Sequence, residues 1–267
     1  MNKKLPILFI VPHGGYKIPE ELSQYTSLSK FDIFLESDTC ANDLSDFGNQ
    51  VHSIVNTNIS RLFVDLDRPI KALPPKFPDG VIKNQTQYLK LIYKKDLFPD
   101  SLAISNIIDR YYLPFHKKIA NILKSENIKL IIDFHTMMAV APDVAEDSKK
   151  PRPLVSINNI FNRDGEIFHT CENILAEDLL ENLRKSFSGE KSSVTDKFKM
   201  NNPQSSGHIL ETYSNKNIPM LRFSISKALF LNDKFFSYEY MKVDELRLRE
   251  LKMNIWKAIE KFFKKYF

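Results

Sequence analysis

Two short apolar runs, each leading to a histidine, constrain this 267-residue chain more than any other feature. Residues 7–11 are apolar throughout and lead through Pro12 to His13; residues 130–132 are apolar and lead through Asp133 and Phe134 to His135. Continuous runs of this length suit strands buried on both faces, as α/β sheets covered by helices require. Between and after them the pattern alternates. Helices are expected over 38–51, 104–124 (kinked at Pro114), 171–187 and 244–267. Further strands are expected over 55–58, 62–66, 154–157 and 218–225. Residues 69–100 carry five prolines and little periodicity, and are expected to form a long surface excursion of the kind that usually has a function. With no repeat, linker or composition break, the expectation is one domain over residues 1–267. Its fold class is α/β, a three-layer arrangement with a mostly parallel or mixed central sheet and helices on both faces.

The bulk chemistry excludes several classes of partner. Lys plus Arg exceed Asp plus Glu by 38 to 33, a formal charge of +5, but the basic residues are dispersed, so no nucleic-acid surface is expected. Residues 252–265, where lysines alternate with Trp256, Phe262 and Phe263, read as an amphipathic closing helix. No apolar run reaches the ~20 residues needed to cross a bilayer, so no membrane is expected either. The first residues imitate a secretory signal but run into Pro12-His13-Gly14-Gly15 without a small-residue cleavage site. Cys40 and Cys171 lack the spacing of a disulfide framework or thiolate metal site. A cytoplasmic protein, monomeric or homodimeric, is therefore expected. With seven glycines and no Gly-x-Ser-x-Gly, P-loop or Gly-x-Gly-x-x-Gly stretch, serine-hydrolase and nucleotide chemistries are poor fits.

Ligands in open α/β sheets bind beyond the carboxyl ends of the strands, so His13 and His135 should face one crevice. Asp133, two residues before His135 on the same side of the strand, can accept the second ring proton of a ligating imidazole. A metal site with an open position commonly takes two histidines and a carboxylate. Asp38, at the start of a helix, is the first choice for the third ligand, with Glu36 and Glu20 behind it; Asp38 could instead be an N-cap. Zinc suits this set, one ion per chain, and ferrous iron or another divalent metal suits it too. Arg61 and Arg68 could recognise a carboxylate or polarise a carbonyl, or could pair with Asp65 and Asp67.

Five stretches in order then resemble the N-formylglutamate amidohydrolase family over about residues 5–230. They are Pro12-His13-Gly14-Gly15 with Pro19; Ser60-Arg61-Leu62 through Asp65-Leu66-Asp67-Arg68; Arg110-Tyr111-Tyr112-Leu113-Pro114-Phe115-His116; Asp133-Phe134-His135-Thr136; and Asn202-Pro203 with Gly207-His208-Ile209. The resemblance implies a zinc-carboxypeptidase-like fold, a mononuclear metal on His13, His135 and an acid at or near Asp38, and hydrolysis of a small anionic N-acyl amino acid. It also implies that Arg61 acts in catalysis and that Arg68, His116 and His208 serve the substrate. One departure stands out. Where the family pattern has Gln-x-Glu on a late strand, this chain has Arg222-Phe223-Ser224, so Arg222 is expected to bind a more anionic substrate. Serine cannot replace a carboxylate in proton transfer, and Glu211 is the expected substitute. A zinc carboxypeptidase or deacylase acting on another amide, and a catalytically impaired member that binds a metabolite, are the competing expectations.

Overall fold

A computed structural model describes residues 4–190, 197–204, 207–214 and 217–267; the first three residues of the signal-like start lie outside them. In chain order the elements are β1 (Leu5–Val11), α1 (Lys30–Glu36), α2 (Ala41–Ser45), β2 (Val51–Asn56), α3 (Ser101–Ile107), α4 (Leu113–Ser125), β3 (Leu130–Met137), β4 (Val155–Asn158) and β5 (Ile160–Arg163). They continue with β6 (Glu166–His169), α5 (Asn173–Ser186), β7 (Phe198–Met200), α6 (His208–Tyr213), β8 (Met220–Ser226), β9 (Phe236–Ser237), β10 (Lys242–Val243) and α7 (Glu245–Tyr266). Six strands form one sheet in the order β2-β1-β3-β8-β4-β7. β2, β1, β3 and β8 run parallel, and β4 pairs antiparallel to β8, so the sheet is mixed.

Each central strand feeds two cores. Ile7, Phe9 and Val11 of β1 join Leu130, Ile132 and Phe134 of β3 and Leu221, Phe223 and Ile225 of β8 under α2, α5 and α7. Leu8, Ile10, Ile131 and Met220 face the other way, toward α3, α4 and α6. This accounts for the three layers: side chains alternate across a strand, and both faces are covered. On the second face the alternation changes chemistry along the strand. β3 reads Ile131, Asp133, His135, and β8 reads Met220, Arg222, Ser224, in direct register. The apolar residue lies at the amino end and the polar residues lie at the carboxyl end, which is where the crevice opens.

Several expectations are corrected. Residues 38–51 do not form one helix: α2 ends at Ser45, Gly48 takes a φ of 51°, and Val51 already belongs to β2. Residues 62–66 are buried but turn rather than extend, because the Phe63 and Val64 N–H groups both donate to the Ser60 carbonyl. An apolar run records burial, not extension. α1 went unpredicted despite its capping box of Ser29 and Asp32, as did the β5–β6 hairpin, whose turn carries Asp164-Gly165. Glu211 lies on the short helix α6. The helix expected over 104–124 is present as α3 and α4, joined by a π turn at Ile108–Tyr112 just ahead of Pro114. Residues 69–100 are not merely superficial, since Val81, Ile82 and Ile92 are completely buried. No helix among the described residues is long and apolar enough to cross a membrane.

Candidate metal centre

His13 follows β1 on a sharply packed turn. A Cβ on Gly15 would lie 2.2 Å from the Asn58 carbonyl carbon, and one on Gly14 would lie 2.4 Å from Asn42 Oδ1, so the glycines permit the close approach. The His13 carbonyl accepts from the Asp38 N–H at 2.9 Å, tying the segment after α1 to the histidine loop. Asp38 does not cap a helix with its side chain. Its Oδ2 lies 2.8 Å from His135 Nδ1 and 3.8 Å from His13 Nδ1. The two imidazole rings are 5.1 Å apart, and ligand atoms of His13, Asp38 and His135 all lie within 4.8 Å of one another.

Both imidazoles are fixed from behind. His13 Nε2 donates to Asp65 Oδ1 at 2.7 Å, and His135 Nε2 donates to Asp133 Oδ1 at 3.0 Å. That leaves Nδ1 of each ring directed at Asp38, the carboxylate–histidine arrangement that orients metal ligands. His13 Nδ1 is buried with no hydrogen-bond partner, a costly state for a polar atom that a cation between the three side chains would relieve. Burial, followed by the Arg61 charge, holds the His13 imidazole below its usual range, so it is neutral as a ligand must be. For His135, burial pushes down, but Asp133 and Asp38 outweigh it and raise the imidazole to about 9. Burial likewise works to raise Asp38, yet His135, His13 and Arg61 hold its carboxyl well below the usual carboxylate range. The donor set and the orphaned nitrogen fit a divalent metal.

Asp67, Asp133 and His135 form a second cluster of metal-ligand types, but Arg222 already supplies its cation. Arg222 Nη2 lies 2.7 Å from Asp67 Oδ2 and 2.6 Å from Asp133 Oδ2, with Nε 2.7 Å from Asp133 Oδ2.

A cavity of about 870 Å³ opens over the cluster, and its walls include His13, Glu36, Asp38, Arg61, Arg68, His135, Arg222, Ser224 and Lys227. Ser224 lies on β8 directly opposite His135. Glu36 lines the wall with its carboxylate held by the Gln87 backbone N–H at 3.1 and 3.2 Å, while Glu20 is exposed beside Arg110, away from the cluster. Arg61 Nη2 donates to Asp65 Oδ2 at 3.0 Å and Nη1 lies 3.8 Å from Asp38. Arg68 pairs with Asp79. Burial lowers the Lys227 ammonium to about 8 against the opposing pull of Asp38 and Glu36.

The remaining expected site residues sit outside the cavity. His116 Nε2 donates to the Leu66 carbonyl at 3.0 Å and Nδ1 accepts from Tyr213 at 2.7 Å, so it braces the segment carrying Asp67 and Arg68 from behind. His208 and Glu211 line a side cleft of about 160 Å³ that shares Asp67, Arg68 and Asn162 with the main cavity. The Glu211 carboxylate is engaged by Arg163 Nε at 2.5 Å, so the structure does not bring it to the metal cluster. Sequence reasoning missed Asp65 as the residue behind His13, and missed Lys83, whose Nζ lies 3.0 Å from Asp65, together with Lys227. Asp65 lay within a quoted motif; neither lysine carried a signal.

Residues 5–231 match the family profile described as N-formylglutamate amidohydrolase. Among solved structures, the chain is similar to N-formylglutamate amidohydrolase from Ralstonia eutropha JMP134, at 16% identity and a TM-score of 0.72, over 99% of this chain and 96% of that one. It is also similar to gene product Atu2144 from Agrobacterium tumefaciens, at 16% identity and a TM-score of 0.61, over 97% and 92% of the two chains. No match is found among curated proteins.

Proposed function

From membership of the N-formylglutamate amidohydrolase family, to which this chain belongs, we propose a metal-dependent amidohydrolase that cleaves the amide bond of a small anionic N-acyl amino acid. The observation that carries the reading is the convergence of His13 Nδ1, buried without a partner, with Asp38 and His135 beneath a polar cavity. His13, Asp38 and His135 would hold the ion, and two histidines with one carboxylate favour zinc. When bound, such an ion supplies Lewis acidity toward the amide carbonyl and makes a water more acidic.

The chain's own residues do the rest. Asp65 and Asp133 hold Nε2 of the two imidazoles, which leaves Nδ1 of His13 free, while Nδ1 of His135, 2.8 Å from Asp38, would give up its proton when an ion binds. Arg61 stands in the cavity wall beside Asp38 and can stabilise negative charge gathering on the acyl oxygen. Arg222, held by Asp67 and Asp133, fixes the floor between β3 and β8 rather than moving freely toward a substrate. Hydrolysis adds water to the acyl carbon, breaks the C–N bond and delivers a proton to the departing amine; that transfer falls to carboxylates sharing the cavity, and Glu211 is not among them. The two unpaired cysteines, Cys40 and Cys171, support a reducing, cytoplasmic setting.

Ser224 favours a second reading. It lines the cavity opposite His135, where the family pattern carries an acid, so the chain could bind metal and metabolite without turnover. Elemental analysis of wild type, His13→Ala and His135→Ala tests the centre: about one metal per chain, lost in both variants, is expected, and a wild type that holds none after reconstitution would sink the hydrolase. A panel of N-formyl, N-acetyl and dipeptide amides then separates enzyme from binder.

A further inference from the structure

The arginine and lysine side chains lining the cavity are Arg61, Arg68, Arg152, Arg222 and Lys227. Every arginine among them faces a protein carboxylate: Arg61 faces Asp65 at 3.0 Å, Arg68 faces Asp79, Arg152 holds Asp147 by two bonds of 2.7 and 2.8 Å, and Arg222 bridges Asp67 and Asp133. Lys227 is different. Its Nζ donates to the Leu35 carbonyl at 2.7 Å and the Ser37 carbonyl at 2.6 Å. Among the described residues, no carboxylate stands within the 4.0 Å of an ion pair with it.

An ammonium carries three N–H donors, and two are spent on carbonyls. The side chain is 4% exposed, and the face it lines belongs to the cavity. A buried charge without a counter-ion is costly, and the cost falls when an anion arrives. Asp38 and Glu36 act on Lys227 only from a distance, and Asp38 is already committed to the metal cluster. The arginines that seemed suited to an anionic substrate are neutralised in place; the lysine is not.

We infer that Lys227 recognises the substrate's carboxylate, docking the free acid group of an N-acyl amino acid whose amide lies at the His13–Asp38–His135 cluster. The inference rests on the amidohydrolase reading for its substrate, and it makes the cavity selective for N-acyl amino acids over their carboxamides.

The test uses metal-reconstituted wild type, Lys227→Met and Lys227→Arg, with N-formyl-L-glutamate and its two monoamides. Wild type should lose about 10- to 100-fold in kcat/KM on one monoamide, mainly through KM, as expected for a charge-assisted contact. Lys227→Met should show that loss on the diacid and no further loss on the same monoamide, while Lys227→Arg keeps most of the discrimination. A Lys227→Met enzyme that still prefers the diacid by the wild-type factor overturns the inference. If Lys227→Met fails to fold, Lys227→Gln, which keeps a donor for the Leu35 and Ser37 carbonyls, takes its place. If wild type cleaves none of these compounds and none of the N-formyl, N-acetyl and dipeptide panel, the amidohydrolase reading fails. Calorimetry with L-glutamate and its monoamides then decides Lys227 on the same criterion: binding weakened by the variant for the acid alone supports it, and equal binding overturns it.

Discussion

The carboxylate at position 65 meets four donors at once: His13 Nε2 at 2.7 Å, the Asp67 backbone N–H at 2.9 Å, Arg61 Nη2 at 3.0 Å and Lys83 Nζ at 3.0 Å. Burial works to raise its carboxyl, but Lys83, His13 and Arg61 hold it well below the usual range, so it remains an anion against the back of His13, a proposed metal ligand. Replacing it with asparagine keeps an acceptor but removes the charge. Asp65→Asn should weaken metal affinity by roughly 10- to 100-fold, read by competition with a chromogenic chelator; affinity equal to wild type would remove Asp65 from the site. Glu211→Gln should leave kcat/KM within about twofold, because that carboxylate answers to exposed Arg163 and surface pairs contribute little; a collapse of turnover would return it to the mechanism. His13, His135 and Asp133 were legible because strand ends and spacing announce them. Asp65 was read only as a partner for Arg61, since no local pattern reveals a contact made across 52 residues of chain.

β3 and β8 show what sequence can reveal about elements. Their apolar residues fixed them as strands, while the polar positions Asp133, His135, Arg222 and Ser224 fall on a single face at the carboxyl end. That period-2 switch is visible in the letters once the register is known, but sequence alone does not supply the register. The turn between β1 and α1 is equally demanding. Gly15→Ala would drive a Cβ into the backbone at Asn58 and should cost about 1–3 kcal/mol, seen as a lower melting temperature together with weaker metal retention. A variant that melts like wild type would mean the two loops can separate. Residues 62–66 misled because hydrophobicity predicts burial in either a turn or a strand, and Ser60 decided for the turn.

At the scale of the whole molecule, His116 joins α4, α6 and the segment before Arg68. Burial, with the neighbouring His208 charge, lowers its imidazole from 6.5 to about 4. As pH falls through 6.5 the unfolded chain takes up this proton while the folded one does not, so the stabilising contribution is complete above pH 6.5 and is lost progressively down to about 4. Urea unfolding at a series of pH values should show this loss, and His116→Gln should flatten that part of the profile; an unchanged slope would mean His116 protonates normally. The three-layer arrangement was legible from alternating runs, whereas the role of residues 69–100 was not. That segment belongs to none of the sheet's strands, yet it buries Val81, Ile82 and Ile92, sets Lys83 against Asp65, and offers the Gln87 amide to Glu36. If the proposed centre holds an ion, its occupancy and the folding of this stretch should form a single coupled equilibrium. A protease that nicks it should release the ion, and a chelator that strips the ion should expose it to cutting.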